Sequence, residues 1–255
     1  MWKNIWPKPS NDANDLSGRI QHLASENERM LSALDAVQGR FRGLARSAWM
    51  VQEDERRRLS RELHDGVGQS LTALRHRLDS LPASEERDEC NEMLLQILED
   101  VREISRLLRP PILDDLGLVP ALNWLSRRVR EGSSIQVDLE SRGLDQTTLS
   151  PELSTLVFRL VQEALHNVVR HAEADEVHIR LLRTGNRLEI EIRDNGVGFD
   201  TQQLDQDPSR RGVGIAGMRD RVELFGGDFS LRSAPGRGTS IQAGLTLDDP
   251  EEPSA

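Results

Sequence analysis

Glu163, Asn167 and His171 recur every fourth residue, a spacing that lays a carboxylate, an amide and an imidazole along one face of a helix, a turn apart. Three glycine-punctuated stretches follow: Asp194-Asn195-Gly196-Val197-Gly198-Phe199, then Gly212-Val213-Gly214-Ile215-Ala216-Gly217-Met218, then Gly236-Arg237-Gly238-Thr239. Closely spaced glycines let backbone amides approach phosphate oxygens, and a loop built from them can open and close as a lid. This order predicts an ATP cradle. Well upstream stand His64, Asp65 and Gln69. A neutral imidazole carries a lone pair that can attack phosphorus, and a neighbouring carboxylate can orient the ring and accept the displaced proton. Alone, each reads equally as a solvated surface residue; the nucleotide pattern downstream is what gives His64 a reaction.

The elements that must position these groups are legible. Ser150 as N-cap, Pro151 at the first helical position, and Leu153, Leu156, Leu160, Ala164 and Val168 at helical spacing predict a helix from Ser150 to Ala172, with the polar stripe beside the buried one. Strands are expected over Ile135–Leu139, 177–182, 187–193, 228–233 and 239–246, with a short helix through Met218 to Leu224. These make an α/β sandwich with helices on one face of a mixed sheet. The second glycine stretch also spells the GxGxxG of a dinucleotide-binding turn. That turn must follow a strand, whereas residues 205–211 before it have a loop composition, and no acid lies about twenty positions on.

Leu59, Leu63, Val67, Leu71, Leu74, Leu78 and Leu81 mark a helix ended by Pro82. A second, from about Glu85 to Arg109, carries Leu94, Ile97, Val101, Ile104 and Leu108 until Pro110-Pro111 stop it. Such a hairpin cannot bury both stripes alone, so pairing with a second copy into a four-helix bundle, a homodimer, is expected. Ahead of it, Leu16, Ile20, Leu23, Asn27, Met30, Leu34, Val37, Phe41, Leu44, Ala48 and Val51 alternate by four and three, a coiled-coil seam with Asn27 as its register-fixing polar residue. One amphipathic helix packed on its own domain is the alternative. After Val51 the strict repeat would seat Glu55 and Arg58, yet the stripe resumes at Leu59, a phase break through which strain could reach the hairpin. Pro120 to Glu131 reads as a connecting helix.

Two of these signatures resemble a known family. Gln162-Glu163-Ala164-Leu165-His166-Asn167 with the glycine stretches resembles the GHKL (Bergerat-type) ATP-binding domain of histidine kinases and gyrase-type ATPases. Arg57-Arg58-Leu59-Ser60-Arg61-Glu62-Leu63-His64-Asp65-Gly66-Val67-Gly68-Gln69 and Leu108-Arg109-Pro110-Pro111-Ile112-Leu113-Asp114-Asp115-Leu116-Gly117-Leu118 resemble the sensor histidine kinases that pair with NarL/FixJ-type response regulators. The resemblance covers about residues 55 to 247 and implies autophosphorylation of His64 from ATP, then transfer to an Asp of a response regulator. It further implies Mg²⁺ on Asn167, a metal-bound water oriented by Glu163, phosphate near His171, and the adenine amino group on Asp194. Gly196 and Gly198 would give close approach there, Gly212, Gly214 and Gly217 the lid, and Thr239 support for the base. Gln69, one turn past Asp65, would orient water for dephosphorylating the regulator. Ile215 stands where the family more often has Leu, a volume-conserving exchange.

Composition bounds these expectations. The 255 residues carry a net charge of −10, 36 % hydrophobic and 30 % charged residues, which speaks against bulk nucleic-acid binding. A single cysteine, Cys90, leaves no intrachain disulfide, and no histidine spacing suggests zinc. With no apolar run of about twenty residues and no signal peptide, a cytoplasmic location is expected. The fold class is α+β and multidomain: a tail at 1–14, a coiled coil at 15–56, a dimerisation and phosphotransfer domain at 57–131, the ATP-binding domain at 132–247 and an acidic tail at 248–255. Two other classes stay open, an ATPase or serine kinase of the same nucleotide fold and a scaffold that binds ATP without turnover.

Overall fold

The computed structural model describes residues 11–144, 149–201 and 213–247. Gly212, the loop at 205–211, the first ten residues and the acidic segment from 248 lie outside the described residues. The chain divides into two compact units, residues 1–47 and 48–255.

A single helix, α1 (Asn11–Arg61), carries the heptad pattern. It runs without a break into a π turn, Glu62–Val67, and on into α2 (Gly68–Asp79). Spacing explains the turn. Leu59, Leu63, Val67 and Leu71 are each four apart, so on a regular α-helix their stripe would drift by roughly 120° over three steps at 3.6 residues per turn. A wider i→i+5 turn takes up that drift with His64 inside it, while the stretch after Val51 where the heptads lose phase is part of the regular α1. After α2, Pro82 bars continuation; Ser84 caps α3 (Glu85–Leu108), accepting a hydrogen bond from the Arg87 amide at 3.2 Å. Two short steps, α4 (Pro111–Asp115) and α5 (Leu118–Gly132), lead to the sheet, and α5 buries Leu118, Ala121, Leu122 and Leu125 on one side.

The sheet has the order β1-β2-β3-β5-β4, with β1 (Gln136–Arg142) parallel to β2 (Glu176–Thr184). Antiparallel neighbours β3 (Arg187–Asp194), β5 (Thr239–Thr246) and β4 (Asp228–Ser233) complete it. Alternation decides its faces: Val177, Ile179, Leu181, Leu188, Ile190, Ile192, Ile241 and Leu245 are buried, while the residues between them stay polar. Over the buried face lie α5, α6 (Pro151–Asn167) and α7 (Val213–Leu224). The mixed α/β sandwich read from the sequence is therefore the observed architecture.

Helix α6 begins as expected, with Ser150 accepting from the Leu153 amide at 3.2 Å and Pro151 behind it. Its end differs from the uniform helix expected to Ala172. Val168–Ala172 form a second π turn, closed by Glu173 in the left-handed region at φ 49°. The loop after β3 causes this ending: the Val197 amide donates to Ala172 O at 2.7 Å, giving the helix's last carbonyl a partner outside the helix.

Candidate active site

Where that loop meets the end of α6, a cavity of about 330 Å³ opens. Asn167 and His171 reach it from α6 and its π turn, Asp194 and Gly198 from the β3 loop, Gly214 and Ile215 from the start of α7, and Thr239 from β5. Six of the residues singled out in the sequence, by spacing or by the family resemblance, are thus brought to one site. Gly196 and Gly217 stand just outside it, and Glu163 lies one turn before Asn167, half-buried, away from the cavity lining.

Asp194 anchors the site. It is 7 % exposed, and its Oδ1 accepts hydrogen bonds from the Gly196 amide at 2.9 Å and the Thr239 amide at 3.2 Å. A buried carboxylate held this way is fixed in orientation, with Oδ2 left as an acceptor. The walls around it, Ala164, Val168, Ile192, Ile215 and Ile241, are apolar and suit a flat ring. The third glycine stretch is tied to the first by the Gly236 amide on Val197 O at 2.6 Å, while Ser233 Oγ accepts from the Phe199 amide at 2.9 Å and donates to Gly238 O at 2.8 Å.

Glycine is required by geometry at Gly198, whereas at Gly214 only the movable end of the Glu163 side chain stands in the way. Gly198 has φ 59°, and a Cβ there would overlap the Ala234 carbonyl. A Cβ at Gly214 would overlap Glu163 Oε1, so the first turn of α7 lies against the carboxylate of α6. Gly217 is an ordinary helical position whose carbonyl accepts from Arg221 Nε at 2.7 Å. Burial lowers the Arg221 guanidinium's pKa, opposed by the charges of Glu163 and Glu53.

Asn167 lines the cavity with its Nδ2 buried and without a hydrogen-bond partner, an N–H donor that an acceptor oxygen of a ligand, such as a phosphate oxygen, would complete. Among the described residues no cluster of three or more His, Cys, Asp or Glu could hold a metal alone.

The second constellation sits on the π turn between α1 and α2. His64 is exposed, and its Nδ1 lies 3.0 Å from Asp65 Oδ1. With Nδ1–H donated to the carboxylate, the lone pair falls on Nε2, facing outward from the pair. Gln69 and His64 line one shallow hollow together with Thr72, His76, Val101 and Arg102. Among the described residues, none that lines the nucleotide cavity also lines the hollows beside His64 or Asp65.

Spacing alone did not single out Asn195, whose Oδ1 accepts from the Asp175 and Glu176 amides, each at 3.0 Å, and so pins the start of β2 to the site loop. Nor did it single out Arg159. One signal was available there: Arg159 is the lone charge inside the run Leu156-Val157-Phe158-Arg159-Leu160-Val161, whose other members are buried.

Two family models match stretches of the chain. Residues 152–250 match the family described as histidine kinase-, DNA gyrase B- and HSP90-like ATPases, and residues 55–113 match a family described as histidine kinase. The oxygen sensor histidine kinase NreB of Staphylococcus carnosus is 34 % identical over 206 residues, covering 78 % of this chain and 58 % of that protein. The sensor histidine kinase MctS of Rhizobium johnstonii is 34 % identical over 218 residues, covering 82 % and 45 %. The chain spans about half the length of these curated relatives. Among solved structures, the histidine kinase domain of the Erythrobacter litoralis blue-light activated kinase EL346 is 18 % identical, with a TM-score of 0.48 over 76 % of this chain and 94 % of that one.

Proposed function

This chain belongs to the sensor histidine kinases, and from that premise we propose that it phosphorylates its own His64 from ATP and passes the phosphoryl group to an aspartate of a NarL/FixJ-type response regulator. The observation that carries the reading is the buried Asp194 carboxylate at the base of an apolar-walled cavity, in a chain that also presents an exposed His64 paired with Asp65. Asp194 Oδ2 accepts the adenine amino group, a donor that guanine lacks at that position, and Ile192, Ile215 and Ile241 sandwich the ring. Thr239 and the Gly196 amide hold Asp194 rigid, so the base is read without reorganisation.

Asn167, with Glu163 a turn behind it, would hold Mg²⁺ through its amide oxygen and a bound water, which would supply neutralisation of charge on the phosphates. His171 would meet phosphate at the rim, and the backbone at Gly214 and Gly217 would cover it; Gly212, assigned to the same lid by resemblance, lies outside the described residues. In the transfer, the Nε2 lone pair of His64 forms a bond to the γ-phosphorus as the bond from that phosphorus to the β–γ bridging oxygen breaks, its electron pair leaving with ADP. Asp65 stabilises the charge that develops on the ring and takes up the Nδ1 proton. A carboxylate oxygen of the regulator then displaces Nε2 at phosphorus.

Domain assignments follow, with 57–131 for dimerisation and phosphotransfer and 132–247 for nucleotide binding. Leu59, Val67, Leu74, Leu81, Ile97 and Ile104 stay open to solvent on the hairpin, which favours a second copy of this chain completing a four-helix bundle. No helix among the described residues is long and apolar enough to cross a membrane. ATP and the regulator place the reaction in the cytoplasm.

Incubation with γ-labelled ATP and Mg²⁺ tests the core of this reading. Acid-labile label is expected in the wild type and absent in His64→Gln; acid-stable label points to a serine kinase, and nucleotide binding with no label points to a scaffold. Gln69, in the hollow beside His64, is assigned to positioning the water that dephosphorylates the regulator. Gln69→Ala should keep autophosphorylation and slow loss of label from the regulator; equal decay with the wild type refutes that role.

A further inference from the structure

Helix α7 opens Val213-Gly214-Ile215-Ala216-Gly217, and glycine weakens a helix, so two of them three positions apart call for a reason. Positions at that spacing share a helix face. At Gly214 the bare face meets the Glu163 carboxylate of α6. At Gly217 it meets an arginine from the next turn, since a Cβ there would stand 3.4 Å from Arg221 Nη2. Arg221 is folded back toward the start of its own helix, with Nε donating to Gly217 O at 2.7 Å. A carboxylate and a guanidinium thus lie over one stripe that the two glycines keep clear.

Each of these charges lacks a partner in direct contact. Among the described residues, half-buried Glu163 has no hydrogen-bond donor, and Arg221, half-buried as well, donates to no carboxylate. The carboxylate that most opposes the cost of burying this guanidinium is Glu163, with Glu53 next. Glu53, 1 % exposed on α1, is already committed elsewhere. Arg159 of α6 donates to its Oε2 from Nε at 2.9 Å and from Nη2 at 2.7 Å, and Arg56 donates to its Oε1 at 2.9 Å. That leaves Glu163 as the uncommitted counter-charge. Arg219 on the same helix shows the contrast: it is exposed and lies over the Phe229 ring at 5.5 Å, as a surface arginine does. Arg221 does not line the nucleotide cavity, whereas Gly214, on which Glu163 rests, does.

We propose that Arg221 is a positioning residue: across the glycine stripe of α7 it holds the Glu163 carboxylate against Gly214. It thereby fixes both the group assigned to orienting the metal-bound water and the root of the helix assigned to covering the phosphates. The proposal rests on the kinase reading and adds a residue to it. Arg221 itself touches no substrate. Because it acts by charge across a gap rather than through a fork of hydrogen bonds, lysine should serve in its place.

The test compares the full chain as wild type, Arg221→Gln, Arg221→Lys, Glu163→Gln and the double variant of Arg221→Gln with Glu163→Gln. At saturating ATP and Mg²⁺, Arg221→Gln should label roughly tenfold more slowly or worse, while a non-hydrolysable ATP analogue binds within about twofold of wild type. Arg221→Lys should keep the rate within about threefold. In the Glu163→Gln background, Arg221→Gln should change the rate by less than about twofold, because its effect passes through that carboxylate. A wild-type rate in Arg221→Gln, a lysine variant as slow as the glutamine one, or an undiminished loss in the Glu163→Gln background overturns the role. Amide exchange across residues 213–218 gives a reading independent of phosphoryl transfer. It should speed up roughly tenfold in Arg221→Gln and in Glu163→Gln alike, and no further in the double variant. Arg221→Met keeps the stem of the side chain packed and serves where the glutamine variant fails to fold. If no form labels, wild type included, the kinase reading falls, and the positioning role is then decided by exchange, which overturns it if unchanged.

Discussion

On the sheet module Leu156, Phe158, Val177, Leu188 and Leu245 are shut off from solvent, whereas along the helices Leu34 is 56 % and Phe41 71 % exposed, with Leu44, Leu74 and Ile97 similarly open. Both regions are patterned with equal care, one at period two and one by heptads. The difference is what their patterns face: the sheet module folds its apolar side under α5, α6 and α7, while the long helix and hairpin present a stripe left open among the described residues. Full burial of each such side chain is worth roughly 1.5–3 kcal/mol, so an uncovered stripe of this length is a strong drive to associate. On the proposed reading, nucleotide recognition belongs to one chain and phosphoacceptor geometry to two.

The sharpest way to break that contrast is to charge the seam. Leu34→Glu combined with Phe41→Glu should weaken the dimer by roughly 1,000-fold or more, from lost burial plus two carboxylates that would need desolvation. Sedimentation should show monomers while binding of an ATP analogue is unchanged. A variant that stays dimeric would mean the heptads are not the association surface. Next in size, Asp194→Asn should weaken nucleotide binding roughly 100-fold, the scale of a lost charge-assisted hydrogen bond to the base together with those holding the loop. Calorimetric titration would show it, and an unchanged dimer in the same variant would confirm that the two regions are separable.

That separability also explains what could be read in advance. Leu188, Ile190 and Ile192 alternate so strictly that β3 was legible almost to its ends, because a period of two has one buried face to choose. Strand β1 runs on to Arg142 rather than stopping near Leu139, since pairing of Glu140, Ser141 and Arg142 with β2 carries it past its apolar residues. The site followed the same logic: glycines and Asp194 announce themselves because their backbone or charge requirements are local. What stayed hidden was non-local. No residue type marks an i→i+5 turn, so the π segments at His64 and after Asn167 were readable at most as fours in the apolar spacing. Glu53 resembled any charge flanking a seam, because its partner lies 106 residues away.

Two glutamates on α1 measure the same contrast at its smallest scale. Glu53 is engulfed by the nucleotide module, whereas Glu55, two residues on, lies on the surface and accepts from Arg58 at 3.0 and 2.6 Å. The Arg58 hydrogen bonds hold the Glu55 carboxyl below its ordinary value of 4.5, with weaker opposition from desolvation and a further lowering by the Arg58 charge. A carboxyl depressed in the folded state stabilises the fold above its unfolded value; that contribution fades as the pH falls below 4.5 and through the depressed folded value. Because the pair is solvated and its helix spacing is i,i+3, the effect is small. Glu55→Gln should therefore melt within about 1 °C of the wild type at neutral pH, and the two should converge at acid pH or in 1 M salt. A drop of several degrees would show that the exposed rim of α1 bears on the nucleotide module as Glu53 does, and the division between buried pair and solvated helix would have to be redrawn.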